Sequence, residues 1–185
     1  MDSIAKWWGQ LALQLKLQIL IQGFLIVILF AAQQWVSIKF ENQALNAAKE
    51  RSITIADDAI NALNIMMITK AGKDEVISNK ESRALFIAKV GASEGIKEMR
   101  IVRGKGIDAE FDAGLPQERV VDDMDRTVLA SGKTESEMIR NGDGTWLRTE
   151  VPFIAMKNFR TTNCLKCHGV DEGAVLGAAS VTIDV

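Results

Sequence analysis

Between Lys16 and Lys39 the chain runs for 22 residues without a charged side chain, and residues 19–32 are apolar apart from Gln22 and Gly23. This run restricts the fold more than any other segment, because 22 residues of helix span about 33 Å, enough for a hydrocarbon core of about 30 Å. Residues 17–38 therefore read as one transmembrane helix, residues 1–16 as a cytoplasmic N-terminus, and residues 39–185 as a domain on the far side. Trp7 and Trp8 before the span and Trp35 near its end are placed where interfacial indoles are favoured, and Lys6 and Lys16 agree with an inside orientation. The competing reading is a cleaved signal peptide with residues 24–32 as its apolar core and Ala31 and Ala32 as small residues before the cut. The long segment ahead of that core and the helical sequence continuing past it favour the anchor.

From Phe24 to Ala71 there is neither glycine nor proline, so the span is expected to run on as one helix until Gly72 ends it. Its soluble part carries two apolar stripes at helical spacing. One is Leu45, Ala48, Ser52, Ile55, Ala59, Ala62 and Met66; the other is Ala56, Ile60, Leu63 and Met67. The small residues suit close helix packing, within the chain or across a dimer, and the large ones suit a core or a cofactor wall. Beyond the helix, residues 81–90 read as a short helix, 96–102 as a strand, and 115–130 as a helix with Pro116 near its start. Residues 137–140 and 146–154 form a hairpin about Asn141-Gly142-Asp143-Gly144, and residues 175–185 supply a closing strand. The fold class expected is α+β, an antiparallel sheet flanked by helices.

Composition narrows the chemistry. With 22 basic against 24 acidic residues and a net charge of −2, no basic footprint for nucleic acid is present. The two cysteines and the single histidine all fall within Cys164-Leu165-Lys166-Cys167-His168. This is the Cys-x-x-Cys-His pattern that attaches a c-type haem: two thiols three apart reach two vinyl groups, and the adjacent imidazole reaches the iron. A thioredoxin-type pair would need a helix start after a strand in a βαβ unit, zinc would need further ligands, and a disulfide over so short a spacer is strained and leaves His168 unexplained. One covalently bound haem c is the expected cofactor, with Cys164 and Cys167 as attachment sites and His168 as proximal iron ligand. Because such haem is attached outside the bacterial inner membrane, residues 39–185 are expected in the periplasm, on a single-pass anchor in the lipid bilayer.

With His168 used and no tyrosine in the chain, the sixth iron position is left to methionine, water, a lysine amine or nothing. Met66 and Met67 on the long helix are the best placed of the seven methionines, with Met156 a local alternative. Met67 shares its stripe with Ile60 and Leu63 and is the first choice; Met66 is the second. A peroxidase-like enzyme has no second histidine for distal acid-base work, so no catalytic residue is assigned. Asp122, Asp123 and Asp125 beside Arg126, and Arg140 near Asp143, read as solvated faces.

Val151-Pro152-Phe153, Lys157-Asn158-Phe159-Arg160, Asn163 through Gly169, Glu172-Gly173 and Leu176-Gly177-Ala178, together with residues 64–69, Gly95-Ile96 and residues 98–103, resemble the periplasmic haem c sensor domains of bacterial chemotaxis receptors and related sensor kinases. The resemblance covers about residues 40–185. It implies a PAS-like fold, a homodimer that can exchange the N-terminal helix, and Met67 as the methionine that approaches the iron. In that family a closing strand like residues 175–185 leads on to a second membrane helix and a signalling domain, and the present sequence ends at Val185. The function expected is input to chemotaxis-type signal transduction, with redox state or a small diatomic gas altering distal ligation. The alternative is a membrane-anchored monohaem cytochrome that passes electrons to a redox partner.

Overall fold

The computed structural model describes residues 12–111 and 114–185, so Lys6, Trp7, Trp8 and most of the expected N-terminal segment lie outside the described residues. The chain divides into two compact units, one ending at Ala44 and one running from Leu45 to Val185. A single helix, α1 (Leu13–Ile68), spans the division.

In the first unit α1 exposes Phe24, Leu25, Ile26, Val27, Leu29 and Phe30, all more than half accessible. Among the described residues it is the one helix long and apolar enough to cross a membrane, and none of its apolar window is buried within the protein. Apolar side chains facing outward on every side of a helix are stable in lipid and not in water. Lys39 sits over the Trp35 ring at 5.9 Å, a pairing suited to an interfacial zone.

The second unit is α+β. After α1 come a small hairpin of β1 (Lys70–Ala71) and β2 (Asp74–Glu75), then α2 (Lys80–Gly91), β3 (Ile96–Arg103), α3 (Lys105–Glu110), α4 (Asp123–Ser131), β4 (Glu135–Asn141), β5 (Gly144–Ile154) and β6 (Val175–Asp184). The four long strands form an antiparallel sheet in the order β3-β6-β5-β4. The last strand in sequence is thus interior to the sheet, and its residues Leu176–Ile183 are all buried.

Strand alternation gives the sheet two chemically different faces. Met99, Leu147, Phe153, Ala179, Val181 and Ile183 face one way and pack with Ala56, Ala59 and Ile60 of α1 and Ile87 of α2. Both apolar stripes of the long helix are drawn on for this contact, since the buried set is Ser52, Ala56, Ala59, Ile60, Leu63 and Asn64. The small residues therefore serve packing within the chain: Ser52 donates to the Thr149 hydroxyl at 2.7 Å from the middle of β5.

On the opposite face, Val102 and Ala178 pack with Met124 and Val128 of α4, beside a charged network. Arg148 reaches Asp125 at 2.6 Å and Glu150 at 3.1 Å and also pairs with Asp122, while Arg100 binds Asp125 at 2.9 Å. Burial acts to raise the Asp122 and Asp125 carboxyls, but hydrogen bonds from Arg148 and Arg100 and from backbone N–H groups hold both below their ordinary range. Glu150 goes the other way. Burial, then the nearby Asp125 charge, push it up to about 8, and its Oε1 has no hydrogen-bond partner.

Several sequence expectations change here. The helix expected over 115–130 is broken: a single 3₁₀ turn (Pro116–Glu118) is followed by extended backbone at Arg119, and the helix restarts after Asp122, whose side chain caps the Asp125 N–H at 3.0 Å. Asp122 and Asp125 are not a solvated face, because buried Arg148 needs them; the exposed Asp123–Arg126 pair does match that reading. Helix α3 and the β1-β2 hairpin were not foreseen, and α1 ends at Ile68, four residues before Gly72. The β4-β5 hairpin closes at Asn141 opposite Gly144, and of its four turn residues only Gly144 has a positive φ.

Because Glu150 binds its proton more tightly folded (about 8) than at its ordinary 4.5, its contribution makes stability fall as pH rises through that window. Glu150→Gln is accordingly expected to match the wild-type Tm near pH 5 and to exceed it by roughly 4 °C or more near pH 9, read by circular dichroism melting. A difference independent of pH would contradict the assignment.

Candidate functional site

The loop between β5 and β6 carries the Cys-x-x-Cys-His pattern and is pinned at its base and along its length. Ala155 donates to the Ala174 carbonyl and Gly173 to the Ala155 carbonyl, each at 2.8 Å, which closes the loop where the strands diverge. Asn64 of α1 donates to Thr162 at 3.1 Å, and Arg160 forms an ion pair with Asp57 on the same helix. Phe159 and Thr162 make a two-residue hairpin whose central residues, Arg160 and Thr161, both have positive φ. Lys157 pairs with Glu172 at 2.8 Å on the surface. These charges hold the loop in place, and neither Lys157 nor Arg160 lines the cavity described below.

Within the loop, Cys164–Lys166 form a 3₁₀ turn whose start is capped by Asn163 accepting from the Leu165 N–H at 3.0 Å. Cys167 and His168 both donate backbone N–H groups to the Cys164 carbonyl, at 3.2 and 3.1 Å. The turn thus gathers the backbone of Cys164, Cys167 and His168 around a single carbonyl, and of the three only His168 lines the cavity described next. Both cysteines are free; Cys164 is buried and Cys167 exposed.

His168 lines an apolar cavity of about 210 Å³ in the second unit. Its wall is formed by Ile60, Leu63 and Met67 of α1, Ile87 of α2, Ile101 of β3, Ile107 of α3, Phe153 of β5 and Leu176 of β6. Met67, the first-choice distal residue, faces the same cavity as His168; Met66 does not line it, and Met156 is exposed. Imidazole orientation is fixed by Glu110, whose Oε2 lies 3.2 Å from His168 Nδ1, and by the Phe111 ring edge-on with centroids 5.7 Å apart. With Nδ1 engaged, Nε2 is the nitrogen free for a metal.

Two arginines were missed by sequence reasoning. Arg83 and Arg103 line the cavity with buried Glu118 between them, Arg83 at 2.8 Å and Arg103 at 3.9 Å. Arg103 also pairs with Asp108 at 3.2 Å. Nothing in their local sequence marks them, because they come from α2 and β3 and meet only when the sheet forms.

The donor set fits a tetrapyrrole better than a bare ion. Among the described residues no three His, Cys, Asp or Glu side chains gather into a group that could hold a metal. Iron in a porphyrin already has four nitrogen ligands, and His168 and Met67, which line one apolar cavity, are the residues that would serve as its further donors. The walls suit the ring faces, and Arg83 and Arg103 offer positive charge within the cavity lining for propionates.

Two outcomes follow. In haem-free protein an alkylating reagent is expected to modify exposed Cys167 before buried Cys164, as followed by peptide mass spectrometry. Arg83→Ala is expected to destabilise the fold by on the order of 3 kcal/mol in urea denaturation, since it strips buried Glu118 of its closer partner. Compared with known proteins, the chain matches no family model and no curated protein, so the chemistry of this cavity carries the functional reading.

Proposed function

We propose that residues 39–185 are a PAS-like haem c sensor domain, held in the periplasm by residues 17–38 as a single transmembrane helix of the bacterial inner membrane. Cys164 and Cys167 would hold one haem c through thioether bonds, and His168 would offer its Nε2 to the iron. The group, once bound, supplies a redox-active iron able to take a small diatomic gas.

The observation that carries this reading is that Met67 and His168 face one apolar cavity although 101 positions separate them in sequence (168 − 67). Ile60, Leu63, Ile101, Phe153 and Leu176 give this shared cavity an apolar lining. Met67 lies one residue from the end of α1, the helix that also carries the apolar window. Met67 and the apolar window thus belong to one continuous helix, so a change in how Met67 is held would bear on that helix. Such a device signals only if the input binds one ligation state more tightly than the other. A homodimer related through α1 and a chemotaxis-type output partner belong to the same reading.

Visible absorption of haem-loaded protein tests it. The ferric wild type is expected to show the long-wavelength charge-transfer band of methionine-ligated haem, Met67→Ala to lose it, and the ferrous wild type to bind carbon monoxide readily. A wild type that is six-coordinate in both redox states and refuses carbon monoxide would instead indicate a membrane-anchored electron carrier.

A further inference from the structure

Glu110 stands 58 positions before His168 in sequence, yet one carboxylate engages both His168 and its neighbour: Oε2 meets His168 Nδ1 at 3.2 Å and Oε1 accepts from the Gly169 N–H. The second contact depends on the residue type after the histidine. A Cβ at position 169 would stand 2.9 Å from Glu110 Oε1, so a side chain there would make the carboxylate shift, whereas glycine lets it close on the backbone as it stands. Glu110 is the last residue of α3, and that short helix is tied to the rest of the domain through Gly104, which starts it and donates to the Leu176 carbonyl of β6 at 2.9 Å. The Phe111 ring against the imidazole completes the clamp. The His168 side chain is only 9% exposed and the Glu110 side chain 24%, so the imidazole end of the contact is packed while the carboxylate end stays open to water.

We propose that Glu110 is a positioning residue that sets the electronic character of His168 toward the iron, an inference that rests on the haem reading of the cavity. A carboxylate accepting from Nδ1–H fixes the tautomer with Nε2 as donor and draws the ring toward imidazolate character. A more basic imidazole favours ferric over ferrous iron, which lowers the reduction potential. With His168 bound more strongly, Met67 would be held less tightly. Glu110 thereby keeps Met67 displaceable, which is what a switch requires and a carrier does not.

The test uses the full chain carrying covalent haem, as wild type, Glu110→Gln and Glu110→Ala, each also in a Met67→Ala background. Resonance Raman of the ferrous Met67→Ala proteins reads the iron–histidine stretch directly, and spectroelectrochemical titration of the others reads the potential. Both Glu110 variants are expected to lower the stretching frequency and raise the potential, with the isosteric Gln variant carrying the comparison should the Ala variant not fold. An unchanged stretch in Glu110→Gln overturns the inference even if the potential moves, because a shifted potential without a changed bond reports only the lost charge. A wild-type protein that carries no covalent haem fails at an earlier step, overturning the parent reading and this inference with it.

Discussion

The site depends on the burial of one helix face on one sheet face. Ser52, Ala56, Ala59 and Ile60 of α1 are nearly inaccessible because Leu147, Thr149, Phe153, Ala179, Val181 and Ile183 receive them. Serine and alanine make the first contacts, and the larger Ile60, Leu63 and Met67 line the cavity. A single packing contact thus decides both the stability of the domain and where Met67 sits relative to His168. At about 25 cal/mol per Å² of apolar surface, such a contact outweighs any one hydrogen bond in the loop.

The other face of the sheet is stabilised by different means. Arg100 and Arg148 are ringed by Asp122, Asp125 and Glu150, and burial, then the neighbouring Asp125 charge, raise the Glu150 carboxyl. Buried networks of this kind contribute little net stability compared with apolar packing but penalise any arrangement that leaves a member unpaired. They hold α4 in one register against β5 and β6. The β5-β6 loop is held in a third way, by surface pairs to α1 and by its own turn capping.

The parts of the fold set by local patterning were legible in the sequence. The uncharged run, the glycine-free helix, the β4-β5 hairpin and the strand at 96–103 rest on periodicity and turn residues that act over a few positions. What was misread depends on contacts far apart in sequence. Asp122 and Asp125 sit among other acids and look solvated until Arg148 arrives from another strand, and the same absence of local signal hid Arg83, Arg103 and Glu110. The break between the Pro116 turn and α4 was hidden differently: Pro116 near the start of 115–130 suited one continuous helix, whereas Asp122 caps a second start. Within the site, Met67 was preferred to Met66 for its stripe with Ile60 and Leu63, and of the two it is Met67 that lines the cavity.

The central claim is that the chain holds one haem through Cys164 and Cys167. Intact mass spectrometry under denaturing conditions tests it most directly, on protein produced in a bacterium with c-type haem maturation. The account predicts a mass increase of one haem that survives denaturation and is lost when both cysteines are replaced by alanine. An unmodified mass with two titratable free thiols, in cells that mature a control c-type cytochrome, would contradict it.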